Sequence, residues 1–295
     1  MHLSTHNWMR AEPLELTLKR IKRLGFESIE ISGEPKQFPS KDSRELLKKY
    51  GIRCWGSVTL TLGQRNLAAK DPAQRAATVA YMKSVAQFIH ELEGQEMTIV
   101  PATVGKVVPD GTPEEEWAWV VAGLQEIYDF TEKHGIRIAL EPLNRFETYF
   151  LNRADQAVAL AKAVGKNCGV CLDVFHMNIE EKDMLAAVRL VGPLLTDVHV
   201  AENNRLAPGM GSIDWKAFVA TLRAVGYKGA LTMEAVPPVD RTPVSPWPNQ
   251  IEKNPVDISP EQLKFIQDHG SSLLSEEFYT FIYETASATL LPLVR

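Results

Sequence analysis

The segment Lys133-His-Gly135-Ile-Arg-Ile-Ala-Leu-Glu141 carries three marks that recur along this chain: a glycine, a short apolar run and a carboxylate at its end. Glycine closes a helix by adopting the left-handed conformation without a Cβ clash. The same stop stands in Arg23-Leu-Gly25-Phe26, Lys49-Tyr-Gly51-Ile52 and Ala224-Val-Gly226-Tyr227. Four copies predict a repeated helix-to-strand unit.

Outward from Glu141, eight short apolar runs predict strands: His2–Asn7, Ser28–Ser32, Ile52–Val58, Met97–Ala102, Ile136–Glu141, Gly169–Asp173, Thr196–Val200 and Ala230–Glu234. Near-continuous apolar strands suit a parallel sheet covered by helices. Helical patterns lie between them. Leu14, Leu18, Ile21 and Leu24 share one helix face. Thr112-Pro-Glu-Glu115 has a capping threonine, a proline for the first helical position and the glutamate of a capping box. Trp117, Val120, Val121, Leu124, Ile127 and Tyr128 continue that helix, and an apolar helix from Glu276 to about Leu290 closes the chain. The predicted fold is α/β: a single-domain (β/α)8 barrel over residues 1–295, with an open doubly wound sheet as the alternative. No Gly-x-Gly-x-x-Gly follows the first strand, which argues against dinucleotide binding.

One stretch breaks the alternation. Residues 237–275 hold Pro237, Pro238, Pro243, Pro246, Pro248, Pro255 and Pro260. This insertion follows strand eight and is expected over the barrel mouth, as substrate cover or subunit contact. Leu263, Phe265 and Ile266 predict a short helix within it.

The balance of 32 Lys and Arg against 37 Asp and Glu, without a basic run, speaks against nucleic acid as a partner. No apolar run is long enough to span a bilayer, and Met1-His-Leu-Ser-Thr-His-Asn-Trp8 does not read as a signal peptide. A cytoplasmic location is expected. Cys168-Gly-Val-Cys171 has the spacing of a redox or zinc pair, but no second pair accompanies it. Cys168 and Cys171 are read as buried strand residues, and the odd count with Cys54 fits a reducing compartment.

Strand five ends at Glu141, strand six at Asp173, strand seven holds His199 and strand eight ends at Glu234. The C-terminal strand ends are where this fold does chemistry. Burying three carboxylates together without a cation is costly. Three oxygen donors and one imidazole suit Mn²⁺, Co²⁺ or Mg²⁺ with positions left open for substrate oxygens. One divalent metal is therefore expected at the barrel mouth.

The segments Leu-Glu141-Pro-Leu-Asn144-Arg-Phe-Glu147, Leu-Asp173-Val-Phe-His176-Met-Asn178-Ile-Glu-Glu181, His199-Val-Ala-Glu-Asn-Asn-Arg205 and Met-Glu234 resemble those of the ketose 3-epimerases, the D-tagatose and D-psicose (allulose) 3-epimerases of the xylose isomerase-like barrel superfamily. The resemblance is sharp from about residue 137 to 236. It implies that Glu141, Asp173, His199 and Glu234 hold the metal, Mn²⁺ first and Co²⁺ or Mg²⁺ next. It implies that Glu141 and Glu234 move the proton, and that Glu147, His176 and Arg205 hold the sugar's oxygens. Gly209-Met-Gly211-Ser-Ile-Asp214-Trp215 resembles the loop after strand seven. The implied activity is epimerisation of a ketose at C3 through a metal-stabilised enediolate, and the implied assembly is a homo-oligomer, dimer or tetramer. Aldose–ketose isomerisation and a lyase acting on a 3-oxo sugar or C-glycoside are the alternatives. A trinuclear-zinc DNA repair endonuclease of the same superfamily needs histidines at early strand ends. Ser57 and Pro101-Ala-Thr103 stand there instead. His2 and His6 are read as structural or pocket-lining, Trp8 as sugar-stacking or core, and His90, His134 and His269 as surface residues.

Overall fold

The face formed by Leu14, Leu18 and Ile21 is buried in α1 (Leu14–Arg23), as its spacing requires. The computed structural model describes residues 1–251, 258–269, 271 and 273–295. Its strands are β1 (His2–Thr5), β2 (Ser28–Glu30), β3 (Arg53–Val58), β4 (Glu96–Ile99), β5 (Arg137–Leu140), β6 (Cys168–Asp173), β7 (Leu195–Val200) and β8 (Ala230–Met233). The helices following α1 are α2 (Ser40–Tyr50), α3 (Pro72–Glu91), α4 (Pro113–Lys133), α5 (Ala154–Val164), α6 (Val174–Glu180), α7 (Met184–Val191), α8 (Trp215–Ala224), α9 (Pro260–His269) and α10 (Glu276–Val294).

All ladders are parallel, and the strands run β1-β8-β7-β6-β5-β4-β3-β2. The remaining seam is joined where Glu27 N donates to Leu3 O at 3.0 Å and His6 bridges to Glu30. The sheet thus closes into the predicted (β/α)8 barrel, and the open-sheet alternative falls. The strands are shorter than the apolar runs suggested. Asn7 and Ser32 leave the ladder and bond to each other instead: Asn7 Oδ1 accepts from Ser32 N and Oγ.

The helix boundaries follow local chemistry. Thr112 and Glu115 form the predicted capping box, and Gly25, Gly51, Gly135 and Gly226 all have positive φ. At Gly56 the constraint is spatial: a Cβ there would run into the Glu96 carbonyl oxygen across the β3–β4 pair. Cys54, Cys168 and Cys171 are free and buried, in accord with the strand reading of the pair.

In the proline-rich stretch, Leu263, Phe265 and Ile266 lie on α9, whose start is marked by reciprocal bonds between Ser259 and Gln262. Pro255 lies outside the described residues. Among the described residues no helix is long and apolar enough to cross a membrane.

Candidate metal centre

Four side chains named from strand ends meet at the C-terminal mouth. Glu141 follows β5, Asp173 ends β6, His199 lies in β7 and Glu234 follows β8. Each offers one ligand atom, and the four atoms lie within 4.8 Å of one another. All four residues are buried. His199 Nδ1 is 2.9 Å from both Glu141 Oε1 and Glu234 Oε2. Asp173 Oδ1 caps α6 by accepting from Phe175 N and His176 N, while its buried Oδ2 has no hydrogen-bond partner. Three carboxylates, one imidazole nitrogen and an unpartnered buried oxygen fit a single divalent cation.

The electrostatics express the same crowding. Burial, reinforced by Glu234 and Glu141, pushes the Asp173 carboxyl up to about 8. Burial also raises Glu141. At Glu234 burial acts upward too, but hydrogen bonding and attraction from His199 and His6 hold it well below the usual carboxylate range.

The predicted substrate residues gather beside this cluster. Arg205 Nη1 donates to Glu147 Oε1 at 2.8 Å, and its Nη2 donates to Glu234 Oε1 at 2.9 Å. The guanidinium carbon also stands 4.6 Å from the centre of the Phe175 ring. Arg205 reaches this position from a left-handed backbone, φ 59°. His176 Nδ1 faces the Asn144 backbone N–H at 3.2 Å and Asn144 Nδ2 at 2.9 Å. Nδ1 must accept the backbone N–H, so the proton of the neutral ring sits on Nε2, which is buried and unpartnered. The predicted loop after β7 is held by Glu202, which accepts from Gly209 N, Ile213 N and Trp215 Nε1.

Other residues of the site did not emerge from the sequence reading. Glu30 ends β2, accepts from Thr232 Oγ1 at 2.5 Å, and lies 3.5 Å from His199 Nε2. Asp197 Oδ2 is 3.2 Å from the same nitrogen, while Asp197 Oδ1 accepts from Trp55 Nε1 at 3.1 Å. Both had a signal. Glu30 is another carboxylate at a strand end, and Asp197 lies two residues from His199, hence on the same strand face. His6, read as structural or pocket-lining, is fully buried, with Nε2 3.3 Å from Glu234 Oε2. His2 is structural, 2.8 Å from Ser28 Oγ.

A cavity of about 230 Å³ opens onto the cluster. Glu141, Glu234, Glu147, His176 and Arg205 line it, together with Trp8, Thr59, Thr61 and apolar side chains. His269 lines it too, which corrects its assignment to the surface. Helix α9 brings His269 inward: its ring stacks on Phe265 at 3.9 Å, and Phe265 meets Phe38 edge-on. His90 is exposed and His134 half-buried.

Barrel, strand-end donors and cavity define a class, and the chain belongs to the xylose isomerase-like TIM barrel family, whose sequence pattern matches residues 18–269. More particularly, it is similar to D-psicose 3-epimerase of Agrobacterium fabrum, 35% identical over 74% of this chain and 77% of that protein. It is also similar to L-ribulose 3-epimerase of Methylomonas sp., 32% identical over 72% and 75%. The crystal structure of D-psicose 3-epimerase from Clostridium cellulolyticum H10 with D-tagatose shares the fold. Its TM-score is 0.80 and its identity 24%, covering 100% of this chain and 98% of that one.

Proposed function

We propose that this protein is a divalent-metal-dependent sugar epimerase that inverts a ketose at C3, with Glu141 and Glu234 as its acid/base pair. The observation that carries the reading is the convergence of Glu141 Oε1 and Glu234 Oε2, each 2.9 Å from His199 Nδ1, beside a cavity lined by both residues. The names of the relatives, D-psicose and L-ribulose 3-epimerase, support ketoses as the substrate class.

A cation held by Glu141, Asp173, His199 and Glu234, Mn²⁺ foremost and Co²⁺ or Mg²⁺ next, supplies Lewis acidity that makes the C3 hydrogen removable. One carboxylate takes that hydrogen as a proton, and the electron pair left on C3 delocalises toward the C2 oxygen. The other returns a proton to the opposite face of C3, inverting it. The His176 Nε2 hydrogen and the Arg205 guanidinium are the donors at hand for the substrate's oxygens. Glu147, held by Arg205 and Asn144, keeps that guanidinium in register.

The same reading takes residues 237–275 as a cover over the mouth, part of one domain spanning residues 1–295; the packing of α9 against the cavity supports this. It takes the protein as a homo-oligomer, dimer or tetramer. In support, exposed Val107 and Val108 lie next to Lys106, whose bridge to Thr148 brings them near exposed Phe146. Three free buried thiols support a cytoplasmic setting.

The test is incubation of the metal-loaded protein with a panel of ketoses in D₂O, followed by NMR. Deuterium at C3 with a new C3 epimer is the expected result. Deuterium at C1 or C2 with an aldose product moves the assignment to an isomerase. Bound metal without exchange in any ketose overturns both and favours the lyase. Glu234→Gln should lower turnover by roughly 10²–10⁴-fold, and near-full turnover in that variant sinks the two-carboxylate scheme.

A further inference from the structure

The two ring nitrogens of His199 have different neighbours. Nδ1 faces the carboxylates of Glu141 and Glu234. Nε2 faces two other carboxylates inside the barrel, Asp197 Oδ2 at 3.2 Å and Glu30 Oε2 at 3.5 Å. All three side chains are sealed from solvent. Asp197 stands two residues before His199 on β7, so the pleat places both on one face of the strand. Neither contact to Nε2 has the alignment of a hydrogen bond, and the nitrogen is left without a partner. A buried polar nitrogen in that state is costly, and a small turn of ring or carboxylate removes the cost.

Ligation fixes what Nε2 needs. A cation takes the Nδ1 lone pair, so the hydrogen of the neutral ring sits on Nε2 and its partner has to be an acceptor. Asp197 is the better placed of the two. Its Oδ1 accepts from Trp55 Nε1 at 3.1 Å, and Trp55 stands on β3, across the ring from β7. The Trp55 ring is in turn braced edge-on by His2 at 5.1 Å. Near Asp197 Oδ2 the remaining donors among the described residues are distant, Thr98 Oγ1 at 3.5 Å and Cys171 Sγ at 3.9 Å. That leaves a lone pair for the imidazole. Glu30 is farther from Nε2, and its Oε1 accepts from Thr232 Oγ1.

We propose that Asp197 is a positioning residue of the metal centre: it accepts the Nε2 hydrogen of His199 and so holds the ring with a bare Nδ1 turned to the cation, while Trp55 holds Asp197. The inference rests on the metal reading of Glu141, Asp173, His199 and Glu234, and it names the residue that orients their one nitrogen donor. A carboxylate there also makes Nδ1 the stronger ligand, because it stabilises the positive charge that ligation leaves on the ring. The alternative is a second cation among His199, Asp197 and Glu30, which offer ligand atoms within 4.8 Å of one another. With Nδ1 ligated, that arrangement requires an imidazole stripped of both ring hydrogens, whereas an accepting Asp197 requires the removal of none.

Two measurements test it. In the first, Mn²⁺ is titrated into chelator-treated protein and the free ion is followed by its EPR signal. Asp197→Ala should weaken Mn²⁺ binding roughly 10–100-fold. Asp197→Asn, which keeps an acceptor oxygen, should recover part of that loss. Trp55→Phe keeps a ring against His2 and releases Asp197, so it should weaken binding roughly 3–10-fold, the size of one lost hydrogen bond. It carries the test if Asp197→Ala does not fold. In the second, the Mg²⁺-loaded wild type should show the His199 Nε2 hydrogen in its ¹H–¹⁵N spectrum, shifted downfield by the carboxylate, and this resonance should move upfield in Asp197→Ala. A merely structural aspartate would change the melting temperature of the metal-free protein and leave both readouts where they are. Unchanged affinity in these variants, an Nε2 without hydrogen, or a second Mn²⁺ per chain that Asp197→Ala loses overturns the proposal. A wild type that binds no Mn²⁺ brings down the metal reading and this inference with it. Metal bound as expected, with no ketose epimerised, overturns the C3-epimerase reading alone and leaves Asp197 in its role.

Discussion

Arg205 Nη2 donates to Glu234 Oε1 at 2.9 Å, joining the loop after β7 to the carboxylate that follows β8. The contact fixes one oxygen of Glu234 while the other, Oε2, faces His199 Nδ1 and His6 Nε2. A lysine in place of Arg205 cannot reach Glu147 and Glu234 with a planar fork. Arg205→Lys should lower kcat/KM for a ketose roughly 10–100-fold, the scale of one or two charge-assisted hydrogen bonds. Unchanged kcat/KM would remove Arg205 from the site.

Metal should act as a stabiliser as well as a reactant. A ligand that binds only the folded state adds about 2.7 kcal/mol at a hundredfold excess over its Kd. Mn²⁺ should therefore raise the melting temperature of the chelator-treated protein by several degrees, as differential scanning fluorimetry reads directly. Asp173→Asn retains a side-chain oxygen to cap α6 but removes a carboxylate ligand. Its metal response should be lost. The metal-free variant should melt at or above the metal-free wild type, because one of three crowded carboxylates is gone. An intact Mn²⁺ shift in Asp173→Asn refutes the ligand assignment.

Gly56 is required by space. A methyl group there collides with the backbone of Glu96 on the neighbouring strand, where no flexible side chain can yield. Gly56→Ala should cost roughly 1–3 kcal/mol or more by chemical denaturation. A variant as stable as wild type would mean that the β3–β4 spacing is misread.

His2 should add a slope to acid unfolding. Burial, with Arg53 nearby, pushes its ring from 6.5 down to about 4. The unfolded chain binds a proton at 6.5 that the folded chain refuses until about 4. The stability this neutral ring supports is full above pH 6.5 and is lost as pH falls toward 4. His2→Gln keeps a partner for Ser28 without titrating, so urea midpoints of the variant should fall less steeply across this window. Identical slopes would count against a neutral, buried His2.

Much of this molecule was legible residue by residue. Helix stops at Gly25, Gly51, Gly135 and Gly226, the capping box of Thr112 and Glu115, and the buried runs of β5 to β8 depend on conformation and solvation within a few residues. Short-range chemistry of that kind is written in short-range sequence. The strand-end residues Glu141, Asp173, His199 and Glu234 were readable for the same reason: a polar side chain closing an apolar strand is a local anomaly.

What meets what was decided by closure of the ring. Glu30 and Asp197 approach His199 Nε2, and His6 approaches Glu234, because β1, β2, β7 and β8 are drawn together around one axis. His269 is the clearest case. In sequence it is a histidine at the end of a polar helix. Its burial depends on Phe265 finding Phe38, more than two hundred residues earlier in the chain. Its burial is a property of that packing, and only the tertiary structure turns a surface-like helix end into a wall of the cavity.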